Sequence, residues 1–140
     1  MIVAVEFSSP ANAAEWLHVD PRIAGIVFAL AGRCAREGLP SLMVTSVARS
    51  PEEQARLYAG RSDAPASSPH IPDWRGVVRA VDLSVRALTA EQVEVLTRWI
   101  NSNWPRTDGF RTCLAHNVAG YHWHIQVPRV PGPPGKHEAP

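Results

Sequence analysis

The chain has 140 residues, of which 45% are hydrophobic and 19% are charged, and these values are typical of a single globular domain. The formal net charge of +1 gives no electrostatic reason to expect nucleic acid or an anionic membrane surface as a partner. No apolar run is long enough to span a membrane, and residues 1–5 lack the basic leader and apolar core of a secretory signal. We therefore expect no membrane contact and synthesis in the cytoplasm.

The N-terminal part of the chain predicts a lead-in, a helix, a strand and a second helix. Residues 1–20 show no regular pattern, and apolar residues then recur at helical spacing over residues 21–37. A short strand is predicted over residues 42–46, and a second helix over residues 51–58. Three predicted helices begin after the N-cap residues Asp20, Ser50 and Thr89. Ser50 and Thr89 also belong to capping boxes.

The C-terminal part predicts a loop, a strand, a helix and a β-hairpin. The predicted elements are a loop over residues 61–76, a strand over 77–85, a helix from 90, and hairpin strands over 110–116 and 121–127. Short strands mixed with helices, without a βαβ rhythm, indicate an α+β fold. Residues 128–140 are rich in proline and glycine, so we expect a disordered tail after a single domain that covers residues 1–127.

Two cysteines, Cys34 and Cys113, are too few for a disulfide framework, and their spacing matches no zinc knuckle. We interpret them as buried free thiols. A bridge between them remains an open alternative.

The segment over residues 121–126 carries the strongest chemical signal. Side chains alternate in a strand, so the polar side chains share one face and the apolar ones share the other: His122, His124 and Gln126 against Tyr121, Trp123 and Ile125. The apolar face belongs to the core. Two imidazoles side by side on a rigid strand suit a metal site. The alternative is a solvent-exposed strand face that happens to carry two histidines.

Two further segments carry candidate site residues. His70 lies in the predicted loop, and Asp82 lies in an otherwise apolar strand, where an unpaired carboxylate is costly to bury unless it binds a metal. The alternatives for Asp82 are a salt bridge to Arg79 or Arg86, or simple exposure at the polar face of the strand. Arg49 lies between a strand and a capped helix, a usual place for a substrate-binding residue.

In this order, the three segments resemble the M15-type zinc D-Ala-D-Ala peptidases, which share the fold of the hedgehog signalling domain. That family has Thr/Ser-Ser-Gly-Tyr-Arg-Ser before a helix, then Ser-x-His-x-x-Gly-x-Ala-x-Asp, and a late His-x-His. The chain matches with residues 45–50, with residues 68–70 and 80–82, and with residues 122–124. The resemblance covers about residues 24–127. It implies a small antiparallel sheet with flanking helices.

The resemblance also implies a set of site residues. Zinc would be held by His70, Asp82 and His124, which leaves one coordination position open for water. His122 would transfer a proton from water to the leaving amine, and Arg49 would hold the substrate carbonyl or the oxyanion. The residues that the resemblance assigns to substrate binding are Ser68 and Gln54.

The chain departs from the family pattern in three places. His70 and Asp82 lie further apart than in the family, so residues within 71–77 form an insertion, and Asp73 is a competing ligand. Val78 replaces the glycine of the pattern. Tyr121 lies where many members have an acidic residue, and we assign that role to His122.

Two further residues lie near the predicted site in the sequence-based picture. We interpret His116 as an exposed histidine near the hairpin turn, with a place at the site as the alternative. Trp74, in the insertion, is the tryptophan most suited to line the cleft.

The resemblance predicts a zinc peptidase that cleaves the stem peptides of bacterial peptidoglycan, as a carboxypeptidase or as a cross-link endopeptidase. We expect a monomeric enzyme of the phage endolysin type that reaches the cell wall after release through a holin. Two other functions remain open. One is a non-catalytic metal-binding or peptidoglycan-binding module with the same fold, and the other is a metal-independent interaction protein.

Overall fold

The computed structural model describes residues 4–59, 68–117 and 121–132. In these residues, four α-helices and a five-stranded sheet form an α+β fold. The elements in chain order are β1 (Val5–Phe7), α1 (Pro10–Glu15), a 3-10 turn (Trp16–His18), α2 (Pro21–Arg36), β2 (Leu42–Ser46), α3 (Pro51–Leu57), β3 (Ala80–Ser84), α4 (Ala90–Asn103), β4 (Cys113–Asn117) and β5 (Tyr121–Gln126). None of the helices in these ranges combines the length and apolar character needed to cross a membrane.

The sheet is mixed, with strand order β1-β2-β3-β5-β4. Strand β1 pairs with β2 in parallel, and the remaining neighbours are antiparallel. The expectations of an antiparallel sheet and of an irregular lead-in were therefore wrong at β1. Three residues are too few to show an alternating pattern, and their strand conformation depends on pairing with distant residues such as Leu42.

The helix starts follow the sequence. Asp20 accepts a hydrogen bond from the backbone of Arg22 at the start of α2. The side chains of Ser50 and Thr89 complete capping boxes at α3 and α4, which confirms both predictions. Helix α1 lies in the predicted lead-in and is capped by Ser9.

The core lies on one face of the sheet. Buried apolar side chains come from one side of α2, one side of α4 and alternate positions of the strands: Ile23, Ile26, Val27, Leu30, Val93, Leu96, Ile100, Val44, Val81, Leu83, Trp123 and Ile125. The other strand positions, including Asp82 and His124, face the opposite side, where no helix of comparable length is found among the described residues. This open face carries the candidate chemistry.

The predicted hairpin is confirmed, because His116 of β4 lies opposite His122 of β5 in the antiparallel register. The turn residues 118–120 lie outside the described residues. Strand β4 begins at Cys113 and not at residue 110, since the side chain of Thr112 hydrogen-bonds the carbonyl of Trp104 and Gly109 has a positive φ of 85°. The segment before β4 is therefore a turn.

Three other expectations concern the cysteines, the loop and the tail. Cys34 and Cys113 are free and buried, as predicted. Of the predicted loop, residues 61–67 lie outside the described residues. The same holds for residues 133–140 of the predicted tail. The described start of that tail contacts the domain, because the carbonyls of Pro128 and Val130 accept hydrogen bonds from Arg22 and Trp74.

Candidate metal centre

Strands β3 and β5 place two of the candidate ligands side by side. Asp82 and His124 are direct partners in the antiparallel register, so both side chains leave the sheet on its open face. His70 approaches this face from the segment that leads into β3. Two backbone hydrogen bonds hold that segment, from Arg49 N to His70 O at 2.9 Å and from Arg79 N to Pro69 O at 3.0 Å. The structure thus brings together residues that are far apart in the chain.

The ligand atoms of the three residues form a compact triangle. His70 Nε2 lies 3.2 Å from Asp82 Oδ1 and 3.2 Å from His124 Nδ1. The distance between His124 Nδ1 and Asp82 Oδ1 is 3.1 Å. Among the described residues, these three side chains form the group of metal-ligating type that could hold an ion.

Two neighbouring oxygens fix which imidazole nitrogens face the triangle. The carbonyl of Val47 lies 2.7 Å from His70 Nδ1, and Oε1 of Gln126 lies 3.2 Å from His124 Nε2. Both oxygens are acceptors, so these two ring nitrogens carry the protons. The unprotonated nitrogens of His70 and His124 therefore both point at Asp82 Oδ1, as in metal sites where a second hydrogen bond orients each histidine.

This donor set fits a small cation. Two nitrogen lone pairs and a carboxylate oxygen at such separations repel one another unless a positive charge lies between them. Around a tetrahedral zinc ion with bonds of about 2.0–2.1 Å, ligand atoms lie about 3.3–3.4 Å apart. The triangle of His70, Asp82 and His124 has nearly that size without rearrangement.

The electrostatics of the centre keep the ligands in their binding forms. Burial lowers the pKa of His70, although the carboxylate of Asp82 acts in the opposite direction, so the imidazole is neutral at pH 7. Burial alone would raise the pKa of Asp82. The contacts with His70 and His124 outweigh this effect and hold that pKa well below its usual value, so Asp82 is ionised.

Arg49 contacts the centre through the carboxylate of Asp82. Its Nη2 lies 3.0 Å from Asp82 Oδ2, on the oxygen that faces away from the histidine triangle. Asp82 therefore forms a salt bridge with Arg49, which was not among the partners expected in the alternative for Asp82. Arg79, one of the two partners expected, instead donates from Nη1 to the carbonyl of Val127 at 3.1 Å.

The two predicted substrate-binding residues differ in their positions. Ser68 lines the cleft, and its hydroxyl accepts a hydrogen bond from the backbone N–H of His70 at 3.2 Å. Gln54 is buried and does not line the cleft, so its expected contact with substrate stays a prediction. Its Oε1 accepts a hydrogen bond from Arg49 Nη1 at 3.1 Å, so Gln54 positions the guanidinium group.

A cavity of about 260 Å³ opens beside the triangle. Its polar wall includes His122, whose Nε2 lies 3.6 Å from Asp82 Oδ1. The remaining wall is mainly apolar and is formed by Leu57, Tyr58, Pro69, Phe110 and Leu114. The three candidate ligands and His122 therefore border the same cavity.

Models of known families, curated proteins and solved structures give no match to this chain. The resemblance to M15-type peptidases therefore stays a prediction that rests on the motifs.

His116 belongs to the cleft, contrary to our interpretation of it as an exposed histidine. It is half-buried, and its ring centroid lies 4.6 Å from that of His122 and 5.5 Å from that of His124. The sequence signal for this position was the hairpin itself, because a register that pairs His116 with His122 puts both on the open face. Val47 was also missed, since a backbone carbonyl leaves no mark in the sequence.

The competing residues of the insertion lie away from the triangle. Asp73 forms a salt bridge with Arg75 at 2.7 Å, and it is not part of the metal-ligating group. Trp74 does not line the cleft and instead donates from Nε1 to the carbonyl of Val130. Tyr121 is 52% exposed and lines grooves outside the cleft.

Proposed function

We propose that this protein is a zinc-dependent peptidase that cleaves peptide bonds in bacterial peptidoglycan. The observation that carries the proposal is the triangle of His70, Asp82 and His124. Its atoms lie 3.1–3.2 Å apart, its imidazole tautomers are set by neighbouring oxygens, and it borders an open cleft.

The donor set favours zinc over other common cations. Two imidazole nitrogens and one carboxylate oxygen match the ligands of catalytic zinc sites, whereas calcium and magnesium prefer oxygen ligands alone. When bound, zinc polarises a carbonyl group and lowers the pKa of water toward about 7. Three protein ligands leave room for a reactant, which distinguishes a catalytic site from a closed structural one.

His122 is the residue placed to move protons. It is adjacent to the ligand His124 on the same strand face, and its Nε2 lies 3.6 Å from Asp82 Oδ1. An imidazole there accepts a proton from the attacking water and delivers it to the amine that leaves. The rigid strand fixes its distance from the reacting atoms.

Arg49 supplies positive charge next to the reacting carbonyl. Its side chain is 15% exposed and lines the cleft, while Asp82 and Gln54 hold two of its terminal nitrogens. A guanidinium group held in this way needs little reorganisation to stabilise the oxygen that gains negative charge. The bond that Arg49 Nη1 donates to Gln54 Oε1 orients the guanidinium, and the backbone N–H of Arg49 donates to the carbonyl of His70.

The shape of the cleft supports a substrate with small side chains. A cavity of about 260 Å³ with apolar walls accommodates an alanine-sized group beside the peptide bond. The motif resemblance supports the D-alanine-containing stem peptides of peptidoglycan as that substrate.

A second groove favours an endopeptidase over a carboxypeptidase. It has a volume of about 780 Å³, crosses the open face of the sheet, and shares His122 with the cleft. Its lining includes Glu6, Met43 and Ser84 from strands β1, β2 and β3. A peptide that continues beyond the cleaved bond would find a path along this groove.

The biological setting proposed here rests on the motif resemblance alone. It comprises a monomeric enzyme of the phage endolysin type, made in the cytoplasm, that acts on the cell wall after release through a holin.

The decisive experiment measures zinc content and muropeptide digestion by the wild type and by His124→Ala. We expect about one zinc per chain and cleavage of cross-linked dimers in the wild type, and loss of both in the variant. His18→Ala is the matched control, because His18 is exposed and is not part of the metal-ligating group. Equal zinc content in His124→Ala and the wild type would refute the ligand assignment.

A non-catalytic binding module is the second candidate function. Tyr121 in place of the acidic residue of many family members favours it, because that position then provides no carboxylate for proton transfer. Stoichiometric zinc with binding of muropeptides but no cleavage would support this candidate.

A further inference from the structure

One imidazole nitrogen in the cleft has no hydrogen-bond partner. His116 Nε2 is buried, and no described residue donates to it or accepts from it. Gln54 Nε2 is in the same state, but it lies outside the cleft, and the other polar atom of that side chain is bonded to Arg49. His116 is therefore the cleft residue whose hydrogen-bonding capacity is unused.

The position of His116 is fixed by the sheet. Its backbone pairs with His122 across β4 and β5, and its ring packs 4.6 Å from the ring of His122 and 5.5 Å from that of His124. Both neighbours face the same cavity as His116. A group that occupies this cavity is therefore close to His116 as well as to the metal triangle.

An unused buried nitrogen is unfavourable for the folded protein. Leaving a buried polar atom without a partner destabilises the folded state, and such atoms in native proteins often mark a ligand or catalytic role. A peptide group offers both an N–H donor and a carbonyl acceptor, so either tautomer of His116 finds a partner in a bound peptide.

We propose that His116 hydrogen-bonds the peptide group of the substrate through Nε2 and is a further catalytic residue of the site. This inference rests on the proposed function and deepens it, because it adds a second histidine on the substrate side of the metal centre. His122 moves the proton, and His116 holds the peptide group in place.

The first test compares His116→Leu with the wild type and with the control His18→Leu. We expect unchanged zinc affinity, an unfolding temperature that is not lower, and a turnover of muropeptides reduced by about 10²–10³-fold, as for loss of one transition-state hydrogen bond. His116→Gln keeps an amide near the same place and should recover part of the turnover. A lower unfolding temperature with normal turnover in His116→Leu would assign a purely structural role and overturn the proposal.

The second test does not depend on turnover. In zinc-loaded protein with ¹⁵N-labelled histidine, a phosphinate analogue of D-alanyl-D-alanine is titrated, and the Nε2 resonance of His116 is identified by its loss in His116→Gln. We expect this resonance to shift on binding. A bound analogue that leaves it unchanged contradicts the proposal.

Together the tests separate the two claims. If His116→Leu digests muropeptides as fast as an active wild type, only the role of His116 is overturned. A zinc-loaded wild type that digests nothing but shows the His116 shift overturns the peptidase and supports the contact. Absence of both digestion and analogue binding overturns both.

Discussion

Asp82 Oδ1 lies 3.1 Å from His124 Nδ1, and the two residues are direct partners on adjacent antiparallel strands. A metal site built on paired strands has little freedom to relax, because the backbones of both ligands are fixed by the sheet. Its properties therefore depend strongly on the residues that orient each ligand. Four predictions follow from these contacts and those of the adjacent cleft residues.

Gln126→Ala should weaken zinc binding while the protein stays folded. Gln126 Oε1 accepts a hydrogen bond from the Nε2–H of His124 and so keeps Nδ1 free to bind the ion. Loss of such an orienting contact typically lowers metal affinity by about 10–100-fold. Competition with a chromogenic chelator measures the change. Gln126→Glu keeps an acceptor oxygen and is expected to bind zinc at least as tightly as the wild type, and equal weakening in both variants would exclude this role for the side-chain oxygen.

His122→Ala should keep zinc and lose most peptidase activity. The residue is close to Asp82 but is not a member of the metal-ligating triangle. General acid–base groups typically contribute about 10²–10⁴-fold to a rate, so a fall of that size is expected in kcat. Metal analysis and muropeptide kinetics are measured on the same preparation. Activity equal to that of the wild type would place the proton transfer on another residue.

Arg49→Ala should be folded and zinc-loaded but slow. The guanidinium bridges Asp82 Oδ2 and Gln54 Oε1 at the wall of the cleft, and its charge stabilises the oxyanion. We expect a loss of about 10²–10³-fold in kcat. Arg49→Lys keeps the charge but cannot bond Asp82 and Gln54 through two separate terminal nitrogens, so it should recover little of the lost kcat. Arg36→Ala, on the exposed end of α2, is the matched control. An unfolded Arg49→Ala protein would make Arg49 a structural residue.

Stability of the metal-free protein should fall as the pH is lowered through the histidine range. Burial lowers the pKa of His70 below 6.5, and burial also lowers that of His116. Between the folded pKa values and about 6.5, the unfolded chain binds more protons, so the free energy of unfolding decreases as pH falls. Urea unfolding of chelator-treated protein at pH 5, 6 and 7 measures this slope. His70→Gln should have a shallower slope, and an unchanged slope would show that His70 is not a source of it.

Local patterns predicted helices α2, α3 and α4 and the hairpin, because caps and periodicity act within a few residues, whereas the short helix α1 was missed. Ser50 and Thr89 form the expected capping boxes, and Trp123 and Ile125 face the core as their alternation with His122 and His124 requires. Strand β1 was missed, since its three residues become a strand only through pairing with β2.

The candidate site depended on pairing that a single sequence does not specify. The motifs selected Asp82 and His124, and the register of β3 and β5 explains why they meet. The salt bridge from Arg49 to Asp82 spans 33 residues and was not anticipated, and the hydrogen bond from His70 to the Val47 carbonyl involves no side chain of residue 47. His116 required the hairpin register to be combined with the positions of both histidines on β5.

The division of the sheet into a core face and an open face has a practical consequence for engineering. After Tyr121, the positions of β5 alternate between side chains that face the cleft and side chains that are fully buried, so Trp123 and Ile125 specify the fold while their neighbours carry the chemistry. Randomised libraries confined to Leu114 and Phe110, on the cleft wall but outside the ligand triangle, should retain a high yield of folded clones. Such libraries offer a route to altered side-chain selectivity by directed evolution.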